Sequence, residues 1–353
     1  MADKKLLCKV LLAVFLLTTA FSERAFAGDW EKDGPGAFIL DHIGDAYEWH
    51  ILSVNEHHVS VPLPVILYSR QSGLNVFMSS KFYHGKKEHA GFKIAKDDGP
   101  NKGKIVEVAT GERPMLDLSI TKNVFALFVS IAIILWVFLS VAKAYAVNGS
   151  KKAPKGLQSF MEPIILYVRD DIARPVIGHK YKQFMPYLLT AFFFILINNL
   201  IGLIPFFPFG ANVTGNIAVT LVLAMCTFFI VIFNSNKMYW AHIVNTPGVP
   251  WWLKMPIPLM PFIELIGVFT KPFALMIRLF ANITGGHIIL LSLACLIFIF
   301  GEMSVGLGYG VSVVSVLFSV FMLVLKILVA FIQANVFTLL SAIYFEMATA
   351  EHH

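Results

Sequence analysis

The sequence predicts an all-α integral membrane protein of five transmembrane helices, the last two long and strongly tilted, preceded by a small extracytoplasmic N-terminal domain with some β-structure. Three observations carry this expectation. The 353 residues are 57% hydrophobic and only 14% charged, with a mean hydropathy of +0.71, outside the range of water-soluble domains. Apolar runs at about 124–147, 187–205, 216–234, 257–300 and 310–346 are each long enough to cross a hydrocarbon core of about 30 Å. A polar stretch ahead of the first run alternates with the period of strands.

Taken in order, residues 1–27 read as a secretory signal peptide. Lys4 and Lys5 precede an apolar stretch, and Ala25-Phe26-Ala27 forms a small-x-small cleavage site before Gly28. An uncleaved anchor helix is the competing reading, but Lys9 and the short apolar run fit a span of about 20 residues poorly. Residues 28–121 form the extracytoplasmic domain, where "HHVSVPLPVILYS" and "GLNVFMSSKFYHG" read as strands bounded by Pro and Gly. Its "DHIGDAYEWH" gathers Asp41, His42, Asp45, Glu48 and His50. Those groups can ligate a metal, but without a cysteine or a second tight cluster the stretch reads instead as a solvated or partner-contacting helix.

The membrane domain, residues 122–353, is oriented by its loops. The segment from Lys143 to about residue 183 holds Lys151, Lys152, Lys155, Arg169, Arg174, Lys180 and Lys182, whereas the loops expected at 206–215 and 301–309 contain neither Lys nor Arg. Positive residues stay inside, so the mature N-terminus is expected outside and the C-terminus in the cytoplasm. "LQSFMEPIILYVRDDIARPVIG" mixes apolar and charged positions at helical spacing and reads as a helix along the cytoplasmic membrane surface. The net charge of +6 follows from these lysines and not from a nucleic-acid patch, since no basic stretch is interleaved with aromatics. Cys8, Cys226 and Cys295 are too scattered for a disulfide framework or a metal knuckle.

The last two runs are too long for a perpendicular crossing: at about 1.5 Å per residue they reach about 66 and 55 Å, so they must tilt, bend or break. They also carry polar groups, each costing at least about 2.5–3.5 kcal/mol at bilayer depth. Glu264, Lys271, Arg278 and Gly285 recur every seven residues and share a stripe. Asn282 follows Arg278 by one turn on the same face, whereas His287 falls about 180° away. On the last run Lys326, Gln333 and Tyr344 share a face, with Glu346 near the cytoplasmic end. Snorkelling or pairing with Glu264 accounts for Lys271 as well as function does, and Asn282, Gln333 and Lys326 have structural readings as hydrogen-bonding or ion-pair glue. Arg278 stands about 20 residues from either end of its run, beyond snorkelling reach. Other classes fit less well. An autonomous channel or secondary transporter should show internal repeats or broken helices. An intramembrane hydrolase should show HExxH or GxSxG, and the chain has neither.

"FIELIGVFTKPFALMIRLFANITGGHIILLSL" and "KILVAFIQANVFTLLSAIYFEMA", with "NNLIGLIPFF", "TGNIAVTL" and the tail "ATAEHH", resemble subunit a of the F-type ATP synthase over most of residues 120–351. The resemblance implies the proton-translocating stator subunit of the membrane sector, not itself catalytic and needing no cofactor. It works against a ring of c subunits, each carrying one carboxylate, and beside b-type peripheral stalk and other synthase subunits in a bacterial inner membrane. By the same resemblance Arg278 matches the family's essential arginine, Asn282 the polar residue one turn on, and Gln333 the glutamine facing the arginine. Glu264 matches an acidic residue of the cytoplasmic half-channel, and Tyr344 a position near the cytoplasmic end of the last helix. Three positions depart from the common pattern: His287 where many bacterial members have glutamate, Lys326 where histidine or glutamate is usual, and Asn216 where aspartate is frequent. The N-terminal domain lies outside the family's common core.

Overall fold

The computed structural model describes residues 43–54, 57–70, 72–83, 85, 87–95, 99, 101–148, 153–204, 211–244 and 259–350, together with Gly36 and Ile39. The expected signal peptide, Asp41 and His42 lie outside the described residues, as does the side chain of His50. The described residues divide between two compact units. One holds residues up to Ala126 with Ala211 and His287–Phe321; the other holds Leu127–Ile204, Asn212–Gly286 and residues from Met322 onward.

The N-terminal region is built from short antiparallel strands: β1 (Glu48–Val54) pairs with β2 (His57–Pro62), β3 (Pro64–Ser69) lies between β4 (Gly73–Met78) and β7 (Leu116–Asp117), and β5 (Phe92–Ile94) pairs with β6 (Ile105–Glu107). The alternating stretches at 57–69 and 73–78 are strands, as their period of two requires. Tyr47, Val65, Leu67, Phe82, Phe92 and Ile105 make its core. The tail of "DHIGDAYEWH" is not helical, because Glu48, Trp49 and His50 open β1. Asp45 is engaged in the backbone: its carboxylate accepts from the Thr121 hydroxyl at 2.8 Å and the Asn123 N–H at 3.1 Å. Among the described residues no group of His, Cys, Asp and Glu could hold a metal ion.

Asp45 thereby caps the first long helix, α1 (Lys122–Asn148). After it come α2 (Leu157–Tyr167), a π-turn at Val168–Ala173, α3 (Arg174–Ile177), a 3-10 turn at Gly178–Lys180, and α4 (Tyr181–Ile201). The expected surface helix leads directly into the second span, broken only at Gly178, whose φ of 68° lies outside the right-handed helical region. Then follow α5 (Ile217–Asn234), α6 (Lys237–Val244), α7 (Leu259–Met303) and α8 (Val305–Thr349). Among the described residues, five helical stretches are long and apolar enough to cross a membrane. The loop expected at 301–309 is reduced to Ser304, the sole residue between α7 and α8. Glycine is the reason: a Cβ on Gly308 would lie 2.8 Å from the Gly301 Cα, so the chain can turn this tightly only while residue 308 has no side chain.

Within the second unit the core is aromatic and aliphatic. Phe184 of α4 stacks on Phe345 of α8 at 4.7 Å, and Phe138 of α1 meets Phe193 of α4 edge-on at 5.0 Å. Tyr187 ties α4 to α5, donating to the Leu223 carbonyl at 3.2 Å and sharing a 2.6 Å hydrogen bond with Thr227. Thr227 in turn lies 3.4 Å from Ser341 of α8, and Tyr167 of α2 donates to Asn335 of α8 at 3.0 Å. These bonds, made where water is absent, fix the rotation of α8 about its axis.

Candidate functional site

α7 buries one stripe. Val268, Leu275, Met276 and Leu279 recur at helical spacing and are all buried. Arg278 and Asn282 fall off that stripe and are exposed, beside exposed Phe273 and Ile277. Among the described residues no carboxylate pairs with Arg278. The phenol of Tyr344, on α8, lies within its electrostatic reach. Gln333 is 5% exposed, turned into the protein.

Lys326 is half-buried, and its Nζ has no hydrogen-bond partner among the described residues. Its stem lies against Gly286 of α7, where a Cβ would come within 2.8 Å of the Lys326 Cε. His287, the next residue, belongs to the other compact unit and is half-buried there.

Toward the other end of α7 the structure gathers Lys271 and Tyr344, with Glu264 in electrostatic range of Lys271. The Lys271 Nζ sits 5.8 Å from the Tyr344 ring centre and 3.9 Å from the Met347 sulfur. Thr227, Phe228, Tyr239 and Val268 complete a small pocket around them, with free volume of about 20 Å³, room for one water molecule. Burial first, and then the Glu264 carboxylate, hold the Tyr239 phenol above its usual range. Glu346 is half-buried on the adjoining turn of α8.

A third polar group escaped sequence reasoning. Asn198 and Asn199 at the end of α4 and Asn212 and Thr214 ahead of α5 are all buried. The Thr214 hydroxyl donates to the Asn199 carbonyl oxygen at 2.6 Å, but Asn198 Oδ1, Asn199 Nδ2 and both Asn212 amide atoms lack partners among the described residues. Leaving such groups unbonded costs about 1–3 kcal/mol each, so the cluster calls for ordered water. Adjacent asparagines inside an apolar run were the available signal. Asn216 is used locally: it caps α5, accepting from the Ala218 N–H at 3.0 Å. Tyr239 and Met347 were equally invisible, because only the packing of α6 and α8 against α7 gives them a role.

Five membrane-length helices, with a guanidinium and a side-chain amide on the open face of one of them, define a multi-pass membrane protein that presents polar chemistry at bilayer depth. The chain belongs to the ATP synthase A chain family, whose sequence pattern matches residues 124–346. It is 43% identical to the ATP synthase subunit a of Chloroherpeton thalassium, over 70% of this chain and 71% of that protein. It is 47% identical to the ATP synthase subunit a 2 of Prosthecochloris aestuarii, over 66% of this chain and 70% of that one. The same identity holds for subunit a 2 of Chlorobium luteolum, over 67% of each. Residues 38–124 match a second family, a domain of unknown function (DUF8433).

Proposed function

We propose that this chain is the proton-translocating stator subunit of an F-type ATP synthase membrane sector. In this reading it forms two offset half-channels against a rotating c-ring and couples proton flow to rotation and ATP synthesis. The observation that carries the reading is Arg278, a cation without a carboxylate partner among the described residues, near the middle of a 45-residue apolar helix and exposed on its face. A charge at that depth needs a partner, and a carboxylate on a neighbouring rotor subunit supplies one.

Chemistry then dictates the cycle. A guanidinium stays protonated at any accessible pH, so it cannot hand a proton on, but it stabilises an anion and repels cations. A protonated rotor carboxylate arriving beside Arg278 loses its proton because the anion is favoured there, and regains one after passing it. Protons that cannot cross Arg278 directly must ride the rotor, so rotation becomes obligatory. Each charge crossing about 100 mV gains about 2.3 kcal/mol, and several per turn suffice to drive synthesis in a coupled head. The chain has no GxxxxGK[ST] loop, and nucleotide chemistry is left to other subunits.

His287 and Lys326, with water, line the outer access path in this reading. The half-satisfied amides of Asn198, Asn199 and Asn212 supply a hydrated vestibule near Asn216. Glu264, Lys271, Tyr344 and Glu346 line the inner path, and Asn282 and Gln333 flank the arginine. A helix of 45 residues measures about 68 Å, more than twice the hydrocarbon thickness, so α7 and α8 lie steeply tilted and offer the ring a broad wall. The positive segment between α1 and α4 supports a C-terminus in the cytoplasm and an N-terminal domain outside, in this reading at a bacterial inner membrane. The b-type peripheral stalk completes the partners.

The test is proton flux in membranes carrying the assembled complex, native against Arg278→Ala. ATP-driven pumping should be lost while passive leak, with the soluble head stripped, is retained or raised. Unchanged pumping would make Arg278 a structural charge and defeat the reading.

A further inference from the structure

The three-stranded sheet of the N-terminal domain is apolar on both sides. Val65 and Leu67 of β3 turn into the core and are wholly buried. A sheet that packs one face on the core should carry polar residues on the opposite face if that face meets water. Here that face carries large apolar ones. The register sets Tyr68 opposite Leu74 and Leu116, and Ile66 opposite Val76. Leu118 extends the row, its N–H donating to the Ile66 carbonyl at 3.0 Å. Leu74, Val76 and Leu118 are 67%, 63% and 65% exposed. A contiguous patch of this kind marks contact with another apolar surface.

Its place in the chain says which surface. β7 ends at Asp117 and α1 begins at Lys122, a step of at most about 18 Å. That junction is stiff. The Lys122 N–H donates to the Ala46 carbonyl at 2.8 Å, the Asp45 carboxylate holds Thr121 and Asn123, and the Trp49 ring meets Phe125 edge-on at 6.0 Å. The sheet is therefore held beside the point where the first span enters hydrocarbon, not hung on a linker. Exposed Arg70, two residues after Tyr68, supplies a cation for lipid phosphates at the edge of this face. Tyr68 is the amphipathic aromatic that membrane interfaces favour.

We propose that this face of the sheet rests on the lipid bilayer, in the leaflet where α1 enters, with Leu74, Val76 and Leu118 at the boundary between headgroups and acyl chains. The domain is then a membrane-surface foot at the start of the first helix, and the proposal stands whether or not the proton-path reading does.

The experiment places spin labels on Leu74→Cys, Val76→Cys and Leu118→Cys, with Glu112→Cys as an exposed control, in a full chain whose native cysteines are alanine. Each is reconstituted in phosphatidylethanolamine/phosphatidylglycerol vesicles, both alone and within the assembled complex. The collision ratio of oxygen over a water-soluble nickel chelate should be several-fold higher at the three sheet positions than at the control, in both preparations. Equal ratios at all four positions would mean the face meets water and would overturn the proposal. Labels that meet the chelate in the isolated chain but are shielded from both reagents in the complex would mean that a protein subunit covers the face, and would overturn it equally.

Discussion

A side chain at residue 286 would collide with the Lys326 stem, so glycine there is what allows the lysine to lie along α7. The colliding atom is the far end of a flexible chain, and the fold can absorb the change by moving Lys326 alone. Gly286→Val should therefore leave assembly of the complex intact, measured by subunit stoichiometry, while ATP-driven proton pumping falls several-fold; unchanged pumping would show that the lysine's position is immaterial. Arg278 obeys a different logic, since it lies off the buried stripe of α7 beside exposed Phe273 and Ile277, and little packing would be lost on truncation. The Arg278→Ala variant should accordingly fold and assemble as the native chain does. Both charges were visible as residues in the sequence, because ionisable groups in apolar runs are rare. That Lys326 sits on a glycine, and that Lys271 meets the Tyr344 ring, depends on two helices lying side by side, which no spacing along one helix encodes.

Among the elements, α1 shows how a long apolar helix is tied to a polar domain. Asp45 stands 76 residues before Thr121 and 78 before Asn123, yet it bonds to both. Replacing it removes the cap and a side-chain bond, at a cost of about 1–2 kcal/mol. Asp45→Ala should make the junction around residues 118–122 more open to proteolysis in intact membranes, and an unchanged cleavage rate would deny Asp45 that role. In the sequence this aspartate belonged to a cluster that suggested ligands or a helix face. Its capping role was unreadable because the partners are distant in the chain. The strands at 57–69 and 73–78 were legible from their alternation, and the helices from length and apolarity. The turn at Ser304 was not: residues 301–309, with Gly301, Gly306 and Gly308, read as a loop, since glycine marks both flexible turns and close helix approaches.

At the scale of the whole molecule, the chain buries a core in each of its two units but leaves long apolar faces open. Leu135, Trp136 and Leu139 on α1 and Leu317, Val324 and Leu328 on α8 are exposed, as surfaces that meet lipid or other membrane subunits must be. On the proposed function, in which a rotor completes the proton path, the chain should not conduct alone. The purified chain in vesicles is expected to pass protons no faster than empty vesicles do, with flux appearing when the c-ring is added; conduction by the chain alone would favour an autonomous channel.

The sequence by itself determined that this is a membrane protein with five long apolar segments and a strand-bearing N-terminal region. It also singled out Arg278, because hydropathy, strand alternation and the cost of buried charge act locally and leave their mark residue by residue. The tertiary structure alone decided which face of α7 stays open, that Gly286 seats Lys326, that three buried amides and a threonine hydroxyl converge between α4 and α5, and that the N-terminal sheet shows an apolar face. Those features depend on the rotation and pairing of elements far apart in the chain, and such rotations are set by packing and by hydrogen bonds across elements rather than by the order of residues within any one of them.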